Sequence, residues 1–315
     1  MGNNNYSESL STSDKKEYYL QLRKQCLSIK NHQLQIGQSI IKNVYPFLRN
    51  YQIELQGTEN VPIDSNVLFV ANHSNSHDIF TAYEMFSYLE RKGSVMVATD
   101  CLSPITTQIF NISNATLLDR RVKQERKDSV LSISNKILNG NDGLIFGEST
   151  WNLHPILPMH NIYNGAAKVS LITQVPIIPT VIEYIETNDL VTSDSQLYKK
   201  CIIRFGKPII IDLNEPLSVQ SQKIKEAMSE TRKQIWKEYG ISRLAMSDVD
   251  PTLYVNHTYA KKFKALGFTY DSQEEQKYLL FLDNEKPENE YTINTNGEFE
   301  AGITEKNTKL RKILK

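Results

Sequence analysis

The sequence predicts an α/β protein with a largely parallel central sheet flanked by helices, a helical segment ahead of it and an appendage behind. Three observations carry this. Short β-rich apolar runs recur between about Tyr51 and Ile211: Val67 to Ala71, Val95 to Ala98, Thr116 to Leu118, Leu144 to Phe146, Ile177 to Ile182 and Ile202 to Phe205. Helical patterns alternate with these runs, and that alternation is the mark of a parallel sheet covered by its crossover helices. Most of the runs also end in polar or turn residues, which places candidate chemistry beyond the carboxyl ends of the strands, where ligands bind in open α/β sheets.

Taken in order, residues 1–14 are polar and expected to be disordered. From 15 to 49 the chain carries Tyr19, Leu22, Cys26, Ile29, Leu34, Ile36, Ile40, Ile41, Val44 and Leu48 at partly helical spacing, interleaved with lysines and arginines. This amphipathic segment reads either as helices packed on the following domain or as an interfacial pair lying on a membrane surface. The main domain spans 50–245. After the run ending at Ala71, a helix is expected from near Ser76, marked by Ile79, Phe80, Ala82, Tyr83, Phe86 and Leu89. Further helices are expected over Val122 to Asn139 with Gly140 as the stop, over Gly165 to Gln174, and over Gln220 to Tyr239 with Gly240 as the stop. Residues 246–315 form a C-terminal extension: Pro251 to Phe281 reads as helical, Asn284 to Glu300 as acidic and polar with a weak hairpin at Asn296-Gly297. Its basic tail, Lys306 to Lys315, reads as a solvated terminus or as a segment drawn to anionic lipid head groups.

Composition narrows the function classes. With 36 basic and 36 acidic residues in 315, the chain has no global basic field for nucleic acid. Cys26, Cys101 and Cys201 lie far apart, which argues against a zinc ribbon or a disulfide framework and suits a reducing compartment. The amino terminus has no basic start followed by an apolar core, and no apolar stretch approaches ~18 residues. The expected location is cytoplasmic, peripheral at the cytoplasmic face of a membrane.

The most pointed chemistry is His73 and Asp78, within Asn72-His73-Ser74-Asn75-Ser76-His77-Asp78 directly after a strand. A histidine is the side chain best suited to accept a proton near neutral pH, and a carboxylate at its far nitrogen fixes the tautomer and stabilises the imidazolium. Asp78 in the first turn of the next helix can face back toward His73. His77 adds a possible third metal ligand, but the glutamate of a metalloprotease helix is absent, Ser74 standing in its place, so no metal is expected. Downstream come Thr116-Leu117-Leu118-Asp119-Arg120-Arg121, then Leu144-Ile145-Phe146-Gly147-Glu148-Ser149-Thr150-Trp151, then Val175-Pro176-Ile177-Ile178-Pro179.

These four blocks, in this order over roughly Gly57 to Ile211, resemble the glycerolipid acyltransferases, the glycerol-3-phosphate and 1-acylglycerol-3-phosphate acyltransferases. The resemblance implies transfer of a fatty acyl group from acyl-CoA or an acyl carrier protein to a hydroxyl of a lysophospholipid or glycerol phosphate, with no cofactor. It implies His73 and Asp78 as the catalytic pair, and Arg120, Glu148, Ser149, Thr150 and Trp151 as substrate-binding positions. The third block departs from the family's Phe-Pro-Glu-Gly-Thr-Arg, having Gly147 for Pro, Ser149 for Gly and Trp151 for Arg. A guanidinium grips phosphate bidentately, so the loss of that Arg keeps open an acceptor with a non-phosphate hydroxyl, such as a sugar, polyol or glycan precursor. A catalytically silent lipid-binding scaffold is the reading from another class, and the intact His73/Asp78 pair argues against it. Oxyanion donors are expected among backbone N–H groups near the helix start and the Gly147 to Thr150 turn. Val175 to Pro179 is expected to wall the substrate pocket, with its prolines at the sheet's end or edge.

Overall fold

The computed structural model describes residues 10–29, 36–74, 77–99, 102, 104–149, 152, 158–186 and 198–240, with the backbone of 291–293 and 299–301. Its helices are α1 (Thr12–Ser28), α2 (Ile36–Leu48), α3 (Asp78–Tyr88), α4 (Pro104–Ile112), α5 (Lys123–Leu138), α6 (Gly165–Thr173) and α7 (Leu217–Glu238). Its strands are β1 (Gln52–Gln56), β2 (Leu68–Ala71), β3 (Gly93–Ala98), β4 (Thr116–Leu118), β5 (Asp142–Phe146), β6 (Ile177–Glu186), β7 (Tyr198–Phe205), β8 (Tyr291–Ile293) and β9 (Phe299–Ala301). The helix expected over 251–281 and the basic tail lie outside the described residues.

The first seven strands form one sheet in the order β1-β7-β6-β2-β5-β3-β4. Every neighbouring pair is parallel except β6 and β7, which run antiparallel. The α/β reading with a largely parallel sheet is therefore what the chain adopts. The central strands β2 and β5 are buried along their whole length, which is why they read as continuous apolar runs. One sheet face, with Phe69, Ala71, Leu144 and Phe146, packs under α2, α3 and α4; the other, with Leu68, Val70 and Ile145, packs under α5, α6 and α7.

The two N-terminal helices do not stay together as a pair. The first begins at Thr12, within the stretch read as a polar leader, where the Ser11 hydroxyl accepts from the Asp14 N–H as an N-cap. It lays Tyr19 and Cys26 against Ile172 of α6, and Asn135 of α5 donates to the Cys26 carbonyl. The second lies on the opposite face of the sheet, where Ile41 and Tyr45 join the core and Gln38 donates to the carbonyls of Gly93 and Ser113. Gly37 is backed so closely on Ser113 that a Cβ there would meet its backbone nitrogen at 2.7 Å.

The fourth sequence block corrects an expectation. Pro179 does not sit at a sheet edge; β6 is central, between β2 and β7. Its missing N–H is tolerated because it falls between the Ile177–Ile209 bridge and the start of the β6–β7 ladder at Thr180–Phe205. Since Leu68 pairs with Ile177 and Ala71 with Thr180, Val175 to Pro179 runs from the entry end of the sheet. Ile177 and Ile178 are core residues, so this block builds the sheet and does not wall a pocket at its carboxyl edge.

Candidate active site

Three strands bring the sequence-predicted residues to one edge. His73 follows β2, Arg120 follows β4 and Glu148 follows β5. The exit from β2 is set by Asn72. With the backbone ladder ended, its buried side-chain amide donates to the Ile182 carbonyl at 2.9 Å and accepts from the Ile182 N–H at 2.7 Å. The side chain thus stands in for a peptide group and turns the next residue out of the sheet. Asn72 was not singled out in the sequence, because its partner lies 110 residues away.

His73 Nδ1 lies 2.8 Å from Asp78 Oδ2. The same oxygen accepts the Ser74 N–H at 2.7 Å. Asp78 opens α3, where the positive end of the helix dipole favours a carboxylate, and it is fully buried, whereas the His73 side chain keeps 15% exposure. The tautomer that directs an Nδ1 proton at the carboxylate would make Nε2 the proton acceptor. The imidazole lies flat on Phe146, with ring centroids 4.2 Å apart and planes inclined by 20°. His77 belongs to a different network. Its Nδ1 meets Tyr45 Oη at 2.5 Å, and hydroxyl contacts continue through Tyr51 and Thr81 to Tyr184. Among the described residues, no group of three His, Cys, Asp or Glu side chains is placed to hold a metal ion.

Glu148 is placed differently from the substrate contact read in the sequence. It is fully buried, and its two oxygens accept the backbone N–H of His73 at 3.0 Å and of His160 at 2.7 Å. It holds the histidine from behind. Burial pushes its carboxyl up to about 7, against the opposing pull of the Arg232 charge, the two N–H donors and the Asn152 amide. Asn152 N–H in turn donates to the His73 carbonyl at 2.6 Å.

Of the adjacent arginines, Arg121 pairs with Asp119 in solvent. Arg120 is half-buried and its Nη1 donates to the Ser149 carbonyl at 2.8 Å, which brings the second and third blocks together. Ser149 has φ 54, a left-handed turn residue that costs a side chain some strain. The N–H groups of Gly147 and Ser149 already donate to the carbonyls of Ala71 and Phe146, so neither is the oxyanion donor expected in this turn. Gly147 is needed for close approach, since a Cβ there would meet Val70 Cγ1 at 2.9 Å. Thr150 and Trp151 lie outside the described residues.

Residues 52–183, from β1 into β6, match the family model described as Acyltransferase. The match contains His73, Asp78, Arg120 and Glu148, so the acyltransferase segment and the geometric site coincide. No curated protein matches the chain in sequence. Among solved structures it is similar to the 1-acyl-sn-glycerophosphate (LPA) acyltransferase PlsC from Thermotoga maritima, at 16% identity, over 73% of this chain and 85% of that one, with a TM-score of 0.44.

One site residue lies beyond the acyltransferase segment. Arg232 of α7 is buried, donates from Nε to Glu183 Oε2 at 2.6 Å and from Nη1 to the Pro158 carbonyl at 2.8 Å, and stacks over Trp236. Burial opposes its charge, but the carboxylates of Glu183, Glu148 and Asp78 outweigh burial and hold it firmly protonated. Only its helical spacing from Lys225, Met228 and Ile235 could have flagged it as inward-facing.

Proposed function

We propose that the protein transfers a fatty acyl group from a thioester, acyl-CoA or an acyl carrier protein, to a hydroxyl of a lysophospholipid or glycerol phosphate, with His73 as general base. The observation that carries this is the His73–Asp78 contact of 2.8 Å at a strand end inside the acyltransferase segment. His73 Nε2 takes the hydroxyl proton as the oxygen attacks the thioester carbonyl. The tetrahedral oxyanion collapses, the carbon–sulfur bond breaks, and the thiolate receives the proton from the imidazolium. Asp78 and the Phe146 ring face both attend the transient cation.

A neutral hydroxyl acceptor is the second reading, favoured by Trp151 in place of the resembled family's Arg and by the tie of Arg120 to Ser149. Thiol release from acyl-CoA and acyl carrier protein, measured with and without candidate acceptors, tests both. Acceptor-dependent release that is lost by about 10²–10⁴-fold in folded His73→Ala is the expected result. Release that persists in that variant, or none with any acceptor, overturns the reading.

A peripheral membrane contact fits the same edge. The buried side of α2 reaches the active-site loop through Tyr45 and His77. Its outer side exposes Ile36, Ile40, Val44, Phe47 and Leu48, spaced as one helical stripe, and neighbouring α4 exposes Ile105 and Ile109. Such an apolar stripe suits an interface with lipid. Among the described residues, no helix is long and apolar enough to cross a membrane.

A further inference from the structure

The site depends on a polar row of α7 that lies outside the acyltransferase segment. Ser221, Lys225 and Arg232 project from one side of this helix, and each holds the segment after the third block. Ser221 Oγ donates to Asn164 Oδ1 at 2.9 Å, Lys225 Nζ to Asn161 Oδ1 at 2.9 Å, and Arg232 Nη1 to the Pro158 carbonyl. All three side chains are buried. Within that segment lies His160, whose N–H closes on Glu148.

We infer that Arg232 is a positioning residue of the active site: its charge keeps the Glu148 carboxylate able to receive the backbone N–H groups of His73 and His160, and so fixes the general base. Four charged groups meet here. Glu148 comes from the turn after β5, Glu183 from β6, Asp78 from the start of α3 and Arg232 from α7, with the buried His160 ring on the intervening segment. The guanidinium pairs directly with Glu183 Oε2 at 2.6 Å, and the charges of Glu148 and Asp78 act on it as well. A carboxylate with an opposite charge nearby ionises about 1–3 pH units more easily, and Glu148, deep in the protein, sits where that help decides its form near neutral pH. A protonated Glu148 accepts these N–H groups more weakly than the carboxylate does, which loosens the anchor of the His73 backbone. The inference rests on the reading of His73 as general base, but its own consequence is the state of Glu148.

The test compares R232M and R232K with wild type in the full chain, following the Glu148 carboxyl by ¹³C NMR, assigned with E148Q, and kcat/KM against pH. In R232M the Glu148 titration should move up by about one unit or more. A move from about 7 to about 8 lowers the ionised fraction at pH 7 by about five-fold, so activity should fall by about that factor there and recover by about pH 9. R232K should keep the titration within about half a unit. If R232M fails to fold, R232M/E183Q removes both members of the ion pair and is read the same way. If neither folds, R232Q, which keeps an N–H donor for the Pro158 carbonyl but lacks the charge, is read the same way. An unmoved titration in a folded variant lacking the charge also overturns it, as does an activity loss equal at all pH values. A moved titration alongside an active His73→Ala would leave Arg232 in its role and defeat the general-base reading alone.

Discussion

Replacing Asp78 by Asn separates the charge of the catalytic pair from its geometry. One oxygen, Oδ2, receives both the His73 Nδ1 contact at 2.8 Å and the Ser74 N–H at 2.7 Å. An asparagine that turned its nitrogen inward would set a donor against the fixed Ser74 donor, so the backbone selects the rotamer with the amide oxygen inward, and His73 keeps its proton on Nδ1. What disappears is the negative charge beside the imidazolium that forms in the reaction. At about 4 Å between charge centres and an effective dielectric constant of about 20, that attraction is about 4 kcal/mol. Divided by about 1.4 kcal/mol per decade, the loss is about 10³ in kcat. Solvent cannot make it good, since Asp78 is fully buried. The assay is steady-state thiol release, paired with a ¹⁵N spectrum of labelled histidine. The expected outcome is the thousand-fold fall with the Nδ1–H tautomer retained. A folded variant within about ten-fold of wild type would refute the role of the charge, and a switch to the Nε2–H tautomer would refute the selection by Ser74.

Arg120→Ala should raise the acceptor KM by about ten-fold or more with little change for the donor if the acceptor carries a phosphate, because a charge-assisted contact contributes about 1.5–3 kcal/mol; an unchanged KM points to the neutral acceptor. Glu148 predicts a pH signature in stability. Its carboxyl is raised from an ordinary 4.5 to about 7 in the folded chain, so its contribution is complete below about 4.5 and is lost as pH rises through about 7, a span of about 3 kcal/mol. Glu148→Gln should flatten that slope in denaturant titrations, and an unaltered slope would contradict the assignment. Ile40→Glu and Phe47→Glu, on the outer side of α2, should abolish flotation with anionic vesicles while leaving thermal stability within a degree or two, as is usual for exposed positions; undiminished flotation moves the lipid contact elsewhere.

The parts of this architecture that could be read in advance are those whose signals are local. β2 and β5 are buried on both faces and so stand out as unbroken apolar runs, and His73 and Asp78 meet across five positions at a strand-to-helix turn. β1 escaped because Gln52-Ile53-Glu54-Leu55-Gln56 is polar at alternate positions and, among the described residues, an edge strand paired with β7 alone. α4 is short and has no acidic first turn or basic last turn to announce it. The burial of Glu148, the bridge from Asn72 to Ile182 and the reach of Arg232 depend on partners brought together from 75, 110 and 49 residues away, and no spacing along the chain encodes them. The prolines of the fourth block misled for a related reason: whether a missing N–H is tolerated depends on the ladder of the neighbouring strand.

The placement of α1 and α2 on opposite faces of the sheet bears on how such a chain can be divided and inherited. The stretch shared with the acyltransferase family ends on one side at β1 and on the other within β6. Cut there, it would lose the Tyr45 side of one core layer, the Cys26 contact on the other, and the α7 row that braces 158–164. The recognisable motifs are therefore not an autonomous module that recombination could carry from one protein to another. They are the legible middle of a larger unit, whose flanking segments supply part of both core layers and the brace on 158–164.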